Sequence, residues 1–113
     1  MAQLECKLQG GFHEVLSAIE AGILNGSASA SQEGSSDYIY KGMHCAVRVY
    51  ERYSMIGGNR VSLNITLIGT EDQLFLSAIT AGGSQAVLFK INTFGESAFL
   101  DCVRDIVEPY RVS

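Results

Sequence analysis

The sequence predicts an α+β domain, an antiparallel sheet of five to seven strands with two helices packed on one face. Three observations lead to this prediction. Apolar and polar residues alternate in several stretches of the central chain, helical periodicity is confined to one stretch near each end, and short glycine-containing segments separate the alternating stretches. Two amphipathic helices cannot cover both faces of a long sheet, so we expect the second sheet face to stay open.

The first two elements are a strand and a helix. Residues 2–9 alternate strictly, which predicts a strand whose buried side carries Ala2, Leu4, Cys6 and Leu8. Gly10 and Gly11 interrupt this period. A helical stripe then begins, in which apolar residues recur every three or four positions, at Phe12, Val15, Leu16, Ile19 and Ile23. The helix is expected to end near Gly26.

The segment from residue 22 to residue 36 is rich in glycine and serine, and it leaves two interpretations open. Residues 27–31 alternate in the manner of a weak edge strand with small side chains, but the same composition is typical of a flexible loop. Residues 37–40, with the sequence Asp-Tyr-Ile-Tyr, predict a short strand.

Two long alternating stretches in the centre of the chain predict a β-hairpin. The residues expected to face the core are Cys45, Val47 and Val49 in the first stretch, and Val61, Leu63, Ile65 and Leu67 in the second. Gly57, Gly58 and Asn59 tolerate the positive φ angles that the connection requires.

Turns near Gly69 and Gly83 are expected to continue an antiparallel meander through strands at residues 74–80 and 86–91. Each of these strands contains a run of three apolar residues, which predicts a strand covered on both faces or a subunit contact. The core face of the first remains undecided between two sets, Phe75, Ser77 and Ile79 or Leu74, Leu76 and Ala78.

The last helix is predicted to start at Thr93, because Thr93 and Glu96 have the spacing of a capping box. Its apolar stripe consists of Phe99, Leu100, Val103, Ile106, Val107 and Tyr110. The resulting order, β-α-β(4-6)-α, resembles helix-grip and TATA-binding-protein-like folds. This likeness concerns the order of elements alone and implies no function.

Composition limits the class of protein. The chain of 113 residues is the size of one domain, residues 1–113, and its 47% hydrophobic and 18% charged residues are typical of a folded globular protein. The net charge of −4 disfavours nucleic acid and anionic membranes as partners. No stretch approaches the roughly 20 apolar residues of a membrane helix, and the first residues do not form a signal peptide. We therefore expect a cytoplasmic protein.

No motif in the sequence indicates a metal, a cofactor or a catalytic nucleophile. Three widely separated cysteines, Cys6, Cys45 and Cys102, are expected to be buried and reduced. His44 and Cys45 are neighbours on a strand and point to opposite faces, so they cannot act as a pair. A non-catalytic protein is favoured, and a small enzyme that uses His44 or Cys45 in a pocket stays an open alternative.

The polar face of the central hairpin carries the candidate ligand-binding residues. Residues 41–68 contain four basic residues against one acidic residue, a local net charge of +3 in a chain of −4. Arginine presents a planar set of donors to carboxylate or phosphate. We predict that a small anionic ligand contacts Arg48, Tyr50, Arg52, Arg60 and Asn64. The alternative is a solvated sheet face with ordinary cross-strand pairs.

Met55 and Ile56 place two large apolar side chains in a loop flanked by glycine. Such residues are expected either to fold back on the core or to enter a partner subunit. Together with the apolar runs in the later strands, they predict a homodimer. A non-catalytic, self-associating domain is therefore the expected function, with the anion-binding module as the alternative.

Four segments carry a resemblance to a known family, residues 45–54, 57–63, 82–85 and 92–96. They resemble small single-domain bacterial proteins, mostly from Gram-positive anaerobes, that are catalogued as a domain of unknown function. The resemblance spans nearly the whole chain. It implies a bacterial protein and assigns no catalytic or binding residue.

Overall fold

The computed structural model describes residues 2–26, 29–53, 60–82 and 89–113, the last range with side chains from residue 96 onward. In chain order its elements are β1 (Ala2–Gln9), α1 (Phe12–Gly26), β2 (Ser31–Tyr40), β3 (Met43–Tyr53), β4 (Arg60–Thr70), β5 (Gln73–Gly82) and α2 (Phe89–Val107), followed by a 3-10 turn at Glu108–Tyr110. The five strands form one antiparallel sheet in the order β1-β5-β4-β3-β2.

Both helices pack on the same face of this sheet. Helix α2 contacts β1, β4 and β5, while α1 contacts β4 and α2. The apolar stripes predicted for the two helices supply one side of the core, and alternate residues of β1, β4 and β5 supply the other. At Gly22 the helices approach so closely that a Cβ atom would lie 2.6 Å from Ile106 Cδ1. The predicted α+β class, an antiparallel sheet with two helices, is confirmed.

The predicted core face of β3 is wrong. Ala46 pairs with Leu67 and Tyr50 pairs with Leu63, so the even-numbered residues of β3 face the helices. Cys45 and its neighbours Val47 and Val49 lie half-buried on the open face instead. Apolar residues occupy both faces of this strand, so periodicity alone does not show which face is buried. The even-numbered face is the buried one, and it includes Arg48 despite its charge.

The edge strand is longer than the one predicted at residues 37–40, but residues 29 and 30, in the stretch left open between strand and loop, lie outside it. Strand β2 runs continuously over Ser31–Tyr40 at the edge of the sheet, with a β-bulge between Gln32 and Gly34. Residues 27 and 28 lie outside the described residues. A two-residue turn, in which Lys41 has φ 49° and Gly42 has φ 83°, joins β2 to β3. Glycine suits the second of these positions because it lacks a Cβ.

The structure decides the core face of β5. Leu74, Leu76 and Ala78 are buried, while Phe75, Ser77 and Ile79 lie on the open face. After β5 the prediction fails, because residues 89–91 are helical and α2 begins at Phe89, not at Thr93. A short apolar run does not distinguish a strand from a helix by periodicity. Residues 86–88 of the predicted strand lie outside the described residues.

The two edges of the sheet differ. Along β1, the tail of the chain adds backbone hydrogen bonds, from Val112 N–H to Lys7 O at 2.9 Å and from Lys7 N–H to Ser113 O at 3.1 Å. Leu8 and Arg111 form an isolated antiparallel bridge there. Along β2, no further strand pairs within the described part of the chain. The tail therefore occupies the β1 edge at Lys7, whereas the described residues leave the β2 edge free.

Candidate functional site

The predicted ligand-binding residues do not share a surface. Arg48, Tyr50 and Arg52 lie on the face that the helices cover, because they pair with Ile65, Leu63 and Val61 of the core. Arg60 and Asn64 lie on the open face. The prediction of one arginine-bearing surface is therefore wrong, for the same reason that the core face of β3 is wrong. Met55 and Ile56, the predicted interface residues, lie outside the described residues.

Arg48 is the centre of a polar network beneath α1. Arg48 is only 7% exposed. The guanidinium donates from Nε to Glu20 Oε2 at 2.7 Å and from Nη2 to Asp37 Oδ1 at 2.9 Å. Nη1 donates to the carbonyl oxygens of Ser36, at 3.2 Å, and Val47, at 2.9 Å. The network therefore joins helix α1, the edge strand β2 and the central strand β3.

This network already occupies the donors that would hold an external anion. Four of the hydrogen bonds that a guanidinium can donate are used within the protein. Burial lowers the pKa of Arg48, but the hydrogen bonds to Glu20 and Asp37 outweigh that effect and raise the pKa overall. Arg48 is thus a permanently charged, internally paired group. The sequence did not reveal its partners, although Glu20 borders the apolar stripe of α1.

Tyr50 lies beside this network and is fully buried. Among the described residues no group accepts or donates a hydrogen bond at its hydroxyl. Burial, followed by the negative charge of Glu20, raises the pKa of Tyr50 to about 12. The hydroxyl is therefore a buried polar group without compensation, which costs free energy in the folded state.

Replacing Tyr50 with phenylalanine is expected to stabilise the protein by about 1 kcal/mol at neutral pH, because the uncompensated hydroxyl is removed with little change of shape. The unfolded tyrosine loses its proton near pH 10, whereas the folded one keeps it until about pH 12. The wild type should therefore lose stability relative to Tyr50→Phe as the pH rises from 10 to 12. Urea unfolding across this range measures the effect, and parallel curves for the two proteins would contradict it.

Arg52 contacts helix α2 through an aromatic ring. Its Cζ atom lies 4.4 Å from the centroid of the Phe99 ring, a cation–π contact. Burial lowers the pKa of Arg52 and raises the pKa of the neighbouring Cys102 thiol, while the charge of Arg52 acts against the rise at Cys102. Burial likewise raises the pKa of Cys6. A raised pKa reduces the thiolate fraction, so neither thiol is an activated nucleophile.

On the open face, Arg60 belongs to a second, exposed cluster. Its Nε donates to Glu51 Oε1 at 2.8 Å, its Nη2 lies 3.9 Å from Glu33 Oε2, and its Cζ lies 5.2 Å from the centroid of the Tyr53 ring. The hydrogen bond to Glu51 raises the pKa of Arg60. Arg60 is thus paired with carboxylates of other strands in the sheet. This matches the alternative given above, a solvated sheet face with ordinary cross-strand pairs.

His44 faces the helix side and contacts the start of α1. Its ring centroid lies 4.9 Å from that of Phe12 and 5.3 Å from that of His13. Cys45 points to the open face, so the two neighbours lie on opposite faces of the sheet. Among the residues that the structure describes, no group of three or more histidine, cysteine or acidic side chains could hold a metal ion.

Two features of the surface were missed by the sequence interpretation. The first is the hairpin patch, which we define as Tyr38, Ile39 and Tyr40 at the end of the free edge strand. These side chains are 66%, 62% and 58% exposed, and the rings of Tyr38 and Tyr40 stack with centroids 6.4 Å apart. Three consecutive large apolar residues at this exposure form an unusual surface for an isolated protein.

The second feature is the open-face trough, a cleft of about 520 Å³ at one end of the uncovered sheet face. Its floor includes Ile68 and Phe75, which are direct neighbours on β4 and β5. Lys7 on β1, which pairs with Phe75, lies at one side, and Met43 and Val112 add to the apolar lining. The trough draws on four strands, β1, β3, β4 and β5, and on the tail, so no single sequence segment indicated it.

These observations define a two-layer α+β arrangement in which the described residues leave one sheet face open and one sheet edge free. The chain belongs to a family of unknown function (DUF6054), whose model matches residues 1–111. The predicted resemblance to a family of unknown function is thereby confirmed. No curated protein and no solved structure shows significant similarity to the chain. Neither helix, as far as the chain is described, is long and apolar enough to cross a membrane.

Proposed function

We propose that this protein is a non-catalytic, cytosolic domain that functions as a homodimer joined through the hairpin patch and the free edge of β2. One observation carries the proposal, namely that Tyr38, Ile39 and Tyr40 are all more than half exposed on the unpaired edge strand. An exposed apolar edge strand invites pairing with another strand. The free thiols Cys6, Cys45 and Cys102 support the cytosolic setting.

The geometry of the hairpin indicates how β2 would pair. Tyr40 and Met43 flank the two-residue turn, so the backbone groups of Tyr40 and Tyr38 point toward β3. The backbone groups of Ile39 and Asp37 consequently point outward, to the free edge. A second copy of β2 can accept and donate hydrogen bonds at these positions and extend the sheet across the interface.

Charge favours one antiparallel register over another. With Ile39 opposite its own copy, Tyr38 meets the partner's Tyr40, and Asp37 lies near the partner's Lys41 with opposite charge. With Asp37 opposite its own copy, two carboxylates would face each other, which is destabilising. The first register also places the most exposed apolar side chains in contact, so it is the one that we propose.

Replacing Ile39 with lysine is expected to convert the dimer to a monomer, because two like charges would then lie at the symmetry axis. Sedimentation velocity at micromolar concentration should show twice the chain mass of 12.2 kDa for the wild type and the single mass for Ile39→Lys.

The matched control is Leu24→Lys, which introduces the same charge at a 42% exposed apolar residue of α1 and should leave the dimer intact. Circular dichroism confirms that both variants fold. A wild-type chain that sediments as a monomer would refute the proposal, and so would equal dissociation of the two variants.

A further inference from the structure

We propose that the open-face trough binds an elongated amphipathic monocarboxylate, with its apolar chain on Phe75 and Ile68 and its carboxylate near Lys7. The trough lies on the open sheet face, whereas Ile39 of the hairpin patch lies on the opposite side of β2, opposite His44. The binding site and the proposed dimer contact are therefore separable by mutation.

The floor of the trough provides the apolar part of the site. Lys7, Phe75 and Ile68 form one cross-strand row over β1, β5 and β4. Phe75 is an exposed large hydrophobic residue, and Met43 and Val112 extend the apolar lining on either side. A row of this kind lies across the strands, so it fits an extended chain better than a compact, globular ligand.

The charge in the trough indicates the head group. Arg48, Arg60 and Arg104 each have a carboxylate within 4.0 Å, whereas Lys7 has none among the described residues. An ammonium group beside an apolar floor is complementary to an anion. Glu5 stands two residues before Lys7 on the same face of β1, which favours a single negative charge over a phosphate dianion.

Neutral polar groups and size complete the match. Gln73 and Thr70 border the cleft and supply amide and hydroxyl groups for hydrogen bonds. The volume of about 520 Å³ lies within the range of roughly 300–1,000 Å³ that is typical of small-molecule sites. An apolar lining with a few polar groups that fix orientation is the usual composition of such a site.

The test is a titration of the protein with sodium decanoate, below the concentration at which decanoate forms micelles, followed by isothermal calorimetry and by amide chemical shifts. We expect saturable binding, with the largest shift changes at the amides of Lys7, Ile68 and Phe75. Decyltrimethylammonium, with the same chain and the opposite charge, should bind more weakly.

Two pairs of variants make the result specific. Lys7→Ala should weaken decanoate binding by about fivefold to tenfold, since it removes one charged contact, while Arg104→Ala removes an exposed positive charge from helix α2, outside the trough, and should leave the affinity unchanged. Phe75→Asp should abolish binding, and Ile39→Lys, the variant designed to remain monomeric, should retain it.

Absence of saturation, equal affinity in Lys7→Ala and Arg104→Ala, or shift changes centred elsewhere would each overturn the proposal. Loss of decanoate binding in Ile39→Lys would also overturn it, because the trough would then depend on the dimer. A monomeric wild type that binds decanoate in the trough would refute the proposed function and leave this inference standing.

Discussion

Replacing Glu20 with alanine is expected to destabilise the protein by about 2 kcal/mol. Glu20 accepts the 2.7 Å hydrogen bond from Nε of Arg48, whose guanidinium is buried beneath α1. Without Glu20, a buried positive charge keeps only Asp37 and two carbonyl oxygens as partners. Removing one member of a buried ion pair is costly because the other charge stays in a poorly hydrated place. Urea unfolding followed by circular dichroism measures the loss.

The complementary variant gives the sharper test. Arg48→Met removes the buried charge, retains an unbranched apolar side chain, and leaves Glu20 and Asp37 partly exposed to water. We expect this variant to lose less stability than Glu20→Ala, about 1 kcal/mol, since replacement of a buried ion by an apolar group is often tolerated. A larger loss of stability in Arg48→Met than in Glu20→Ala would contradict this expectation. It would mean that the attraction between Arg48 and its partners outweighs the free-energy cost of burying the charge.

Replacing Gly69 with alanine is expected to cost about 3 kcal/mol or to prevent folding. A Cβ atom at Gly69 would overlap the carbonyl oxygen of Gln73 and lie 2.8 Å from Leu74 Cα. Both are backbone atoms of the paired strand β5, so no rotation of a flexible side chain can relieve the overlap. Overpacking of this kind forces backbone shifts, which are among the larger effects of single substitutions.

Gly34→Ala is the matched control for this prediction. Gly34 also lies in a strand, but the only atom near an added Cβ is Val49 Cβ at 4.0 Å. Its substitution should change the free energy of unfolding by less than about 0.5 kcal/mol. Thermal or urea unfolding of the two variants compares them directly. Equal losses at both positions would show that the cost arises from strand propensity and not from the contact with β5.

The elements with a single apolar face could be predicted from the sequence. Strand β1, helix α1 and strand β4 each bury the residues that their periodicity selects, because in each of them the apolar residues lie mostly on one face and the polar residues mostly on the other. Strand β3 has apolar residues on both faces, so its orientation depends on whether Arg48 is buried. Burial of Arg48 is tolerable because Glu20, which is 28 residues away in sequence, supplies a negative charge beside it. No local sequence pattern reveals this pairing.

The candidate surfaces were less predictable than the fold. The sequence predicted a strand at Tyr38, Ile39 and Tyr40 but not the hairpin patch, because the exposure of these residues follows from the position of β2 at the sheet edge. Strand order is not encoded in any local pattern. The open-face trough depends on that order as well, because it juxtaposes Lys7 of β1 with residues of β4 and β5.

The backbone bonds between Lys7 and the last two residues limit how far assembly can proceed. Strand addition at that end of β1 is therefore blocked, whereas the described residues leave the edge of β2 unpaired. In the dimer proposed above, the β2 edge of each copy would be used by the other copy. The growth of a fibre needs two available ends per unit. By occupying β1 at Lys7, the tail therefore opposes the second strand addition that a growing fibre would need.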